Sequence, residues 1–264
     1  MNEKMTMLIL SCDKFSDLWD GHVKQLEKHW PDRNMKTYIV TDKNTSKQYA
    51  NVEILSVGKD AEWSDRLFYA LKTVNTEYVF ITLDDYFLIQ DVSSEGIKNL
   101  LRMMEENGLD YVRLFKRPTK ATREAIKGFT KAFNIDTTFK YSVNLYSGIW
   151  KTEFMKACVA NPLNPWEFEV ALPKMACEYK AKCAVSNNKD FVILDVVRKG
   201  KLLHTSYFYF KTHPGIYEGT REVNSLCYEI RLGVKTLVGR YTPMPVHNAI
   251  KKVMRKLGYQ FFSD

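Results

Sequence analysis

Short apolar segments alternate with amphipathic segments through the first 115 residues, and this alternation limits the possible folds more than any other feature. The apolar segments have the length of buried strands, and the segments between them carry apolar residues at a helical spacing. Alternation of this kind is typical of α/β proteins, in which helices cover a mostly parallel sheet. The predicted strands are residues 5–12, 36–41, 52–57, 78–83 and 111–115.

The composition permits one large domain with a small appendage. Apolar residues make up 45% of the 264 residues and charged residues 27%, which excludes general disorder. No segment approaches the roughly 20 apolar residues of a membrane-spanning helix, and we expect no signal peptide at the N-terminus. The five cysteines are odd in number and lack the spacing of a zinc site. They indicate reduced thiols and a cytoplasmic location.

The pattern is less regular after residue 115. Residues 116–140 are polar and rich in Thr, Lys and Arg, which predicts a mobile loop with a short helix. A helix is predicted over residues 166–182, and Pro173 should interrupt or kink it. Further strands are predicted over residues 141–150, 191–197 and 201–210.

Two adjacent acidic residues, Asp84 and Asp85, follow the strand at 78–83, which is apolar on both faces. Open α/β sheets bind ligands at the carboxyl ends of their strands. Neighbouring carboxylates in such a place are unfavourable unless a cation meets them. A divalent ion that also binds phosphate oxygens is one such partner. The structural alternative, a turn cap and a salt bridge, explains the pair less well at the end of a buried strand.

These acids, with others at the ends of the first two strands, carry a resemblance to a known family. The chain resembles nucleotide-sugar glycosyltransferases of the GT-A fold, of the type that builds bacterial polysaccharides. The resemblance implies a catalytic domain over 1–210, with a nucleotide-binding half (1–115) and an acceptor half (116–210). A C-terminal lid and a basic helical tail would occupy 211–264. The stretches that carry the resemblance are residues 8–13, 38–42, 63–87 and 166–169.

The resemblance implies which residues bind the donor nucleotide. Acids after the first and second strands contact the nucleoside in that family, and the helix before the acidic motif contributes polar contacts to the base or ribose. The acidic motif binds the diphosphate. The residues at these positions are Asp13, Asp42, Asp65, Arg66, Asp84 and Asp85.

The family also implies a divalent metal, Mn²⁺ or Mg²⁺, held by an acidic motif usually written D-x-D. Here the motif is Asp84-Asp85-Tyr86, so its last acid is missing. Either one carboxylate holds the metal or basic residues replace it. Asp85 is the expected metal ligand, and His204 is a further candidate because a late histidine completes the metal site in some members.

Glu167 and Glu169 are candidates for the catalytic base. An inverting transfer needs a carboxylate that takes the proton from the acceptor hydroxyl, and the family's base lies at the start of a helix in this part of the chain. Residues two apart on a helix point in different directions, so only one can serve. Glu169 is slightly favoured. The structural alternative is that acids stabilise the first helical turn.

The stretch from His213 to Arg221 contains two glycines and also Tyr217. It is predicted either to close over the donor as a lid that excludes water or to be an ordinary loop. The sequence alone does not decide between these alternatives.

The net charge of +8 is concentrated at the C-terminal end. Seven basic residues and no acidic one lie between residues 231 and 263, so the rest of the chain is nearly neutral. Residues 250–257 have the spacing of an amphipathic helix. Its basic face is expected either to bind an anionic membrane, at its cytoplasmic face, or to be solvated while the helix docks on the domain. This face consists of Lys251, Lys252, Arg255 and Lys256.

The leading hypothesis is a glycosyltransferase that moves a sugar from a nucleoside diphosphate, with UDP favoured, to a hydroxyl of a glycan or lipid-linked glycan. Inversion is the expected stereochemistry. A nucleotidyltransferase using the same acidic pair is an alternative, although residues 12–15 lack the glycines of a phosphate-binding loop. A second alternative is a non-catalytic membrane-binding module driven by the tail. The nearly neutral first 230 residues carry no nucleic-acid-binding motif and argue against a nucleic-acid partner.

Overall fold

The computed structural model describes residues 4–58, 61–114, 120–160, 163–187 and 189–241. The helices in these ranges are α1 (Trp19–His29), α2 (Trp63–Thr73), α3 (Ser94–Asn107), α4 (Thr152–Cys158), α5 (Pro165–Tyr179), α6 (His204–Thr212) and α7 (Leu226–Tyr241). The strands are β1 (Met5–Leu10), β2 (Thr37–Thr41), β3 (Glu53–Ser56), β4 (Tyr78–Leu83), β5 (Tyr86–Leu88), β6 (Tyr111–Leu114), β7 (Thr122–Ile126), β8 (Phe129–Ile135), β9 (Gly148–Lys151), β10 (Cys183–Ser186), β11 (Ile193–Asp195), β12 (Val197–Arg198) and β13 (Lys201–Leu202).

A central sheet of nine strands organises the described part of the chain. Its order is β3-β2-β1-β4-β9-β6-β10-β8-β7. Strands β1 to β4 are parallel, while β9 runs antiparallel to both β4 and β6. Strand β10 is parallel to β6, and β8 is antiparallel to both β10 and β7. Only β8 and β9 therefore run antiparallel to the other strands of this sheet. The predicted mostly parallel α/β sheet is confirmed.

Helices cover both faces of this sheet. Along β1, Met7 and Ile9 pack with α1 and α3 on one face, and Leu8 and Leu10 pack with α2, α4 and α5 on the other. Alternate residues of a strand point to opposite faces, so a strand covered on both sides is mostly apolar and is buried throughout. All six residues of β1 are buried, as this rule requires.

Two small two-stranded sheets lie beside the acidic pair. Strand β5 pairs with β11 in antiparallel orientation, and β12 pairs with β13. A third apolar cluster, which includes Phe87, Val196 and Phe210, joins these strands to α6. The packing therefore brings the late segment 193–212 beside the end of β4.

Two predictions for the second half are wrong. Residues 120–135, expected to be part of a mobile loop with a short helix, contain the hairpin β7–β8, with Gly128 at a φ of +82° in its turn. The hairpin is fixed because β8 also pairs with β10. The strand predicted over residues 201–210 is present only as β13, at residues 201–202, and residues 204–212 are helical. Their buried residues Ser206 and Phe210 are four apart, which places both on one face of the helix.

Two further predictions differ from the structure in extent. The predicted strand at 141–150 is reduced to β9, at residues 148–151. Helix α5 runs continuously through Pro173, so the proline does not interrupt it.

The C-terminal prediction falls largely outside the described residues. Lys251, Lys252, Arg255 and Lys256 all lie there. Within the described ranges, no helix is both long and apolar enough to cross a membrane.

Candidate nucleotide-binding and acidic site

The ends of β1 and β2 meet through Asp13 and Asp42. The backbone N–H of Asp13 donates a hydrogen bond of 2.6 Å to Oδ1 of Asp42. Burial alone would raise the pKa of Asp42, but this bond, a further backbone N–H and the charge of Arg66 lower it. The Asp13 carboxylate is half exposed and lies 3.3 Å from the Lys43 ammonium. The Asp42 carboxylate is therefore held by hydrogen bonds within the fold, and the Asp13 carboxylate remains accessible.

Helix α2 places Arg66 near these strand ends. The Arg66 guanidinium donates a hydrogen bond to the carbonyl of Ala61 and acts electrostatically on Asp42. Asp65 is exposed on the first turn of the same helix. The structure thus brings Arg66 into the environment of Asp42, and it gives no comparable contact for Asp65.

Asp84 is buried and bound within the protein. Its carboxylate accepts a hydrogen bond from the Ser11 hydroxyl, which accepts one of 2.7 Å from the indole N–H of Trp19. The backbone carbonyl of Asp84 lies 3.1 Å from Nδ1 of His22. Burial raises the pKa of Asp84 to about 7. These contacts tie the end of β4 to β1 and α1.

Asp85 has a different environment. Its Oδ1 is buried and has no hydrogen-bond partner among the described residues. Its pKa is raised well above the usual range, first by burial and then by the charges of Asp84 and Asp195, while Arg198 opposes the shift. An unsatisfied carboxylate oxygen in such a place is unfavourable until a donor or a cation meets it.

The two candidate bases lie in distinct settings on α5. The Glu167 carboxylate is exposed and accepts the backbone N–H of Asn164, which completes a capping box at the start of the helix. Glu169 is half-buried, and its carboxylate accepts the backbone N–H of Leu145 at 3.1 Å. Burial raises the pKa of Glu169, whereas the Leu145 N–H and the charge of Arg198 lower it.

His204 is occupied by another contact. It begins α6, and its Nδ1 lies 2.9 Å from the Glu229 carboxylate, which also accepts its backbone N–H. Across the described part of the chain, no group of three or more His, Cys, Asp or Glu side chains is arranged to hold a metal ion. The metal-ligand role of His204 stays a prediction.

The stretch that follows α6 is attached to the turn after β1. Arg221 donates two hydrogen bonds to the Asp17 carboxylate, at 2.7 and 2.6 Å, and one to the carbonyl of Lys14. Tyr217 donates to the same carboxylate at 3.0 Å. The ring of His213, in contrast, stacks on Tyr209 at the end of α6. This stretch therefore fixes the backbone segment that carries Asp13.

Sequence analysis missed Asp195 and Arg198, which form an ion pair with N–O distances of 2.6 and 2.9 Å. Both charges act on Asp85, and Arg198 also acts on Glu169. The only local signal was an acid and a base three residues apart after an apolar segment. The pairing of β11 with β5, which places them here, has no signal in that segment.

No protein-family model and no curated protein matches this sequence. The structure of S. aureus TarS 1–349 in complex with UDP-GlcNAc is similar, with a TM-score of 0.51 and 14% identity, over 75% of this chain and 60% of that one. Lower scores relate the chain to the mannosyltransferase PcManGT of Pyrobaculum calidifontis in complex with GDP-Man and Mn²⁺ (TM-score 0.48, 12% identity, 76% of this chain and 59% of that one). They also relate it to a cytidylyltransferase of Leptospira borgpetersenii (TM-score 0.45, 12% identity, 83% of this chain and 98% of that one).

The chain spans about 60% of the length of the TarS 1–349 chain that it resembles. Identity at this level establishes the shared fold alone. The strand order and the likeness to TarS 1–349 confirm the GT-A-like α/β fold.

Proposed function

We propose that this chain is a glycosyltransferase that binds a nucleoside-diphosphate sugar at the carboxyl ends of β1, β2 and β4. It transfers the sugar to a hydroxyl of a glycan or lipid-linked glycan, with inversion. The observation that carries the proposal is the convergence of these three strand ends. Asp13 bonds to Asp42 there, and Asp84 bonds to Ser11. Ligands of open α/β sheets bind at this edge.

Asp85 is the residue that would hold a divalent metal, Mn²⁺ or Mg²⁺. Its unsatisfied Oδ1 and the neighbouring acids fit a cation that also takes diphosphate oxygens. Such an ion supplies charge stabilisation to the leaving diphosphate. Asp84, whose carboxylate is bound by Ser11, fixes the position of Asp85.

Glu169 is the proposed base. Its half-buried carboxylate shares the electrostatic environment of Arg198, which also acts on Asp85. A carboxylate whose pKa is raised by burial is a stronger base toward an acceptor hydroxyl than an exposed one. Glu167 instead stabilises the start of α5 through its bond to the backbone of Asn164.

An anionic lipid surface is the proposed partner of the C-terminal region. Leu226, Ile230 and Val234 of α7 are each more than half exposed and recur at a spacing of four, which places them along one side of the helix. No acid occurs between residues 231 and 263. An exposed apolar row beside basic residues is typical of helices that lie on anionic membranes.

Thermal unfolding with UDP, GDP, CDP and dTDP, each with Mn²⁺ and with a chelator, tests the donor site. A ligand that binds only the folded state stabilises it by about 2.7 kcal/mol at a hundred times its Kd. We expect one nucleotide to raise the Tm of the wild type. Asp85→Asn should lose the Mn²⁺-dependent part of this rise, whereas the control Asp32→Asn, at an exposed position, should keep it.

The same preparation separates the two candidate activities. A glycosyltransferase releases a nucleoside diphosphate from its sugar donor, and a nucleotidyltransferase releases pyrophosphate from a nucleoside triphosphate. The backbone N–H of Asp13 is already bonded to Asp42, which leaves it unsuited to cradle a triphosphate. Stabilisation by nucleoside triphosphates with pyrophosphate release, and no response to diphosphates, would overturn the proposal.

A further inference from the structure

Strand β11 places an acid beside the position where the acidic motif lacks one. Asp195 is the register partner of Tyr86, which occupies the third position of the motif. The next residue, Val196, donates its backbone N–H to the carbonyl of Asp85 at 2.9 Å. The backbone of β11 is thus bonded directly to the acidic motif.

Two carboxylate oxygens at this junction share an unusual property. Oδ1 of Asp85 and Oδ1 of Asp195 are both buried, and neither has a hydrogen-bond partner within the described ranges. The other oxygen of Asp195 is satisfied, since Arg198 donates to Oδ2 at 2.6 and 2.9 Å. A buried acceptor without a donor is destabilising. One such oxygen in the turn before β5 and another in β11, whose backbones are hydrogen-bonded to each other, point to a shared ligand.

The local charge indicates the nature of that ligand. Asp84 and Asp195 are the charged neighbours that raise the pKa of Asp85, and Arg198 is the neighbour that lowers it. Three carboxylates and one guanidinium leave two negative charges uncompensated when all four groups are ionised. One divalent cation supplies the missing charge. Carboxylate oxygens are ligands that Mg²⁺ and Mn²⁺ prefer.

We propose that Asp195 is the second protein ligand, with Asp85, of a divalent cation site, and that it replaces the acid missing from the motif at Tyr86. This inference rests on the proposed function, because diphosphate oxygens and water would fill the remaining positions. Arg198 is a positioning residue, since its bonds to Oδ2 hold the Asp195 carboxylate with Oδ1 free. In this proposal the further protein ligand is Asp195 rather than the His204 ring, whose Nδ1 is bonded to Glu229.

Direct binding of Mn²⁺ to the full chain tests the proposal without any transfer assay. Free Mn²⁺ is measured by electron paramagnetic resonance during titration, with and without UDP. Asp195→Asn should raise the Kd for Mn²⁺ by about tenfold or more. Two controls should leave it unchanged: His204→Asn, and Asp190→Asn, which alters another half-buried acid whose partner is Ser186. The affinity for UDP in chelator should be the same in all variants.

Three results would overturn the inference: unchanged Mn²⁺ affinity in Asp195→Asn, a loss confined to His204→Asn, or no Mn²⁺ binding by the wild type. The proposed function would survive each of them if UDP still binds in chelator. If Asp195→Asn does not fold, Arg198→Lys serves in its place. Lysine keeps the positive charge but cannot reproduce the pair of hydrogen bonds that the Arg198 guanidinium donates to Oδ2 of Asp195. We expect severalfold weaker Mn²⁺ binding for that variant, and an unchanged Kd would also contradict the inference.

Discussion

His22 should make the protein sensitive to acid. Its ring is 3% exposed, lies edge-on to Phe87 and approaches the backbone carbonyl of Asp84. Burial disfavours the charged imidazolium and lowers the pKa of His22 from 6.5 to about 4. The folded protein therefore keeps this ring neutral at pH values where the unfolded chain already binds a proton.

The sign and size of the effect follow from linkage. Between pH 6.5 and about 4 the unfolded state binds more protons at this site, so the free energy of unfolding falls as the pH falls. The two pKa values differ by about 2.5 units, and each unit corresponds to about 1.4 kcal/mol. The loss attributable to His22 is about 2 kcal/mol at pH 5 and about 3 kcal/mol at pH 4.

Urea unfolding of the wild type and of His22→Asn between pH 7.5 and pH 4 measures this loss. Asparagine keeps an amide N–H near the position of Nδ1 and does not titrate in this range. The raised pKa of Asp84 has the opposite effect on stability, but it is present in both proteins and cancels in the comparison. The difference in unfolding free energy between the wild type and His22→Asn should change by about 3 kcal/mol, to the disadvantage of the wild type, when the pH is lowered from 7.5 to 4. Parallel curves, or the same change in the exposed control His213→Asn, would refute the reasoning.

Two other predictions concern the base and the sheet. Glu169→Gln should lower the rate of transfer at least a hundredfold with little change in nucleotide affinity. Glu167→Gln should keep the rate and lose about 0.3–1 kcal/mol of unfolding free energy, because glutamine can still complete the capping box but removes the negative charge from the start of α5. Equal rates for the two variants would contradict the assignment. In Gly148→Ala, the new Cβ would lie 2.8 Å from the carbonyl oxygen of Val112 and 2.9 Å from the ring of Tyr111. We expect a loss of about 1–3 kcal/mol in urea unfolding, and wild-type stability would show that β9 can move away from β6.

The first half of the fold was predictable because its signals lie within single elements. The segment 78–83 is apolar on both faces, and it is the central strand β4. Gly108 after the amphipathic segment is the left-handed residue that ends α3, with a φ of +61°. At the other end of this helix, Ser93 is the N-cap and accepts the N–H of Gly96.

The second half was poorly predicted because its strands are defined by distant partners. Gly128 lies between two segments with strand-like residues, and it was the one local indication of the β7–β8 hairpin. In contrast, the aromatic segment 204–212 has high β-propensity and is nevertheless a helix, since Phe210 packs into the cluster around Phe87. Packing of this kind overrides intrinsic propensity.

Some residues of the candidate site could be predicted from local sequence signals, and others could not. The positions of Asp13, Asp42 and the acidic pair are predictable from sequence because all of them lie at or shortly after the end of a strand. Asp195 and Arg198 could not be found, because they reach Asp85 only through the pairing of β11 with β5. Asp195 and Arg198 are therefore the residues of the candidate site that only the three-dimensional structure reveals.

The two neighbouring aspartates show why proximity in sequence does not imply a shared role. Successive residues at a strand end point in opposite directions. Asp84 is directed to Ser11 and is satisfied there, whereas Oδ1 of Asp85 has no donor among the described residues. One carboxylate therefore anchors the end of β4, and the other is available to a ligand. Loss of the first should lower stability, and loss of the second should lower ligand affinity, although the two residues are adjacent in the chain.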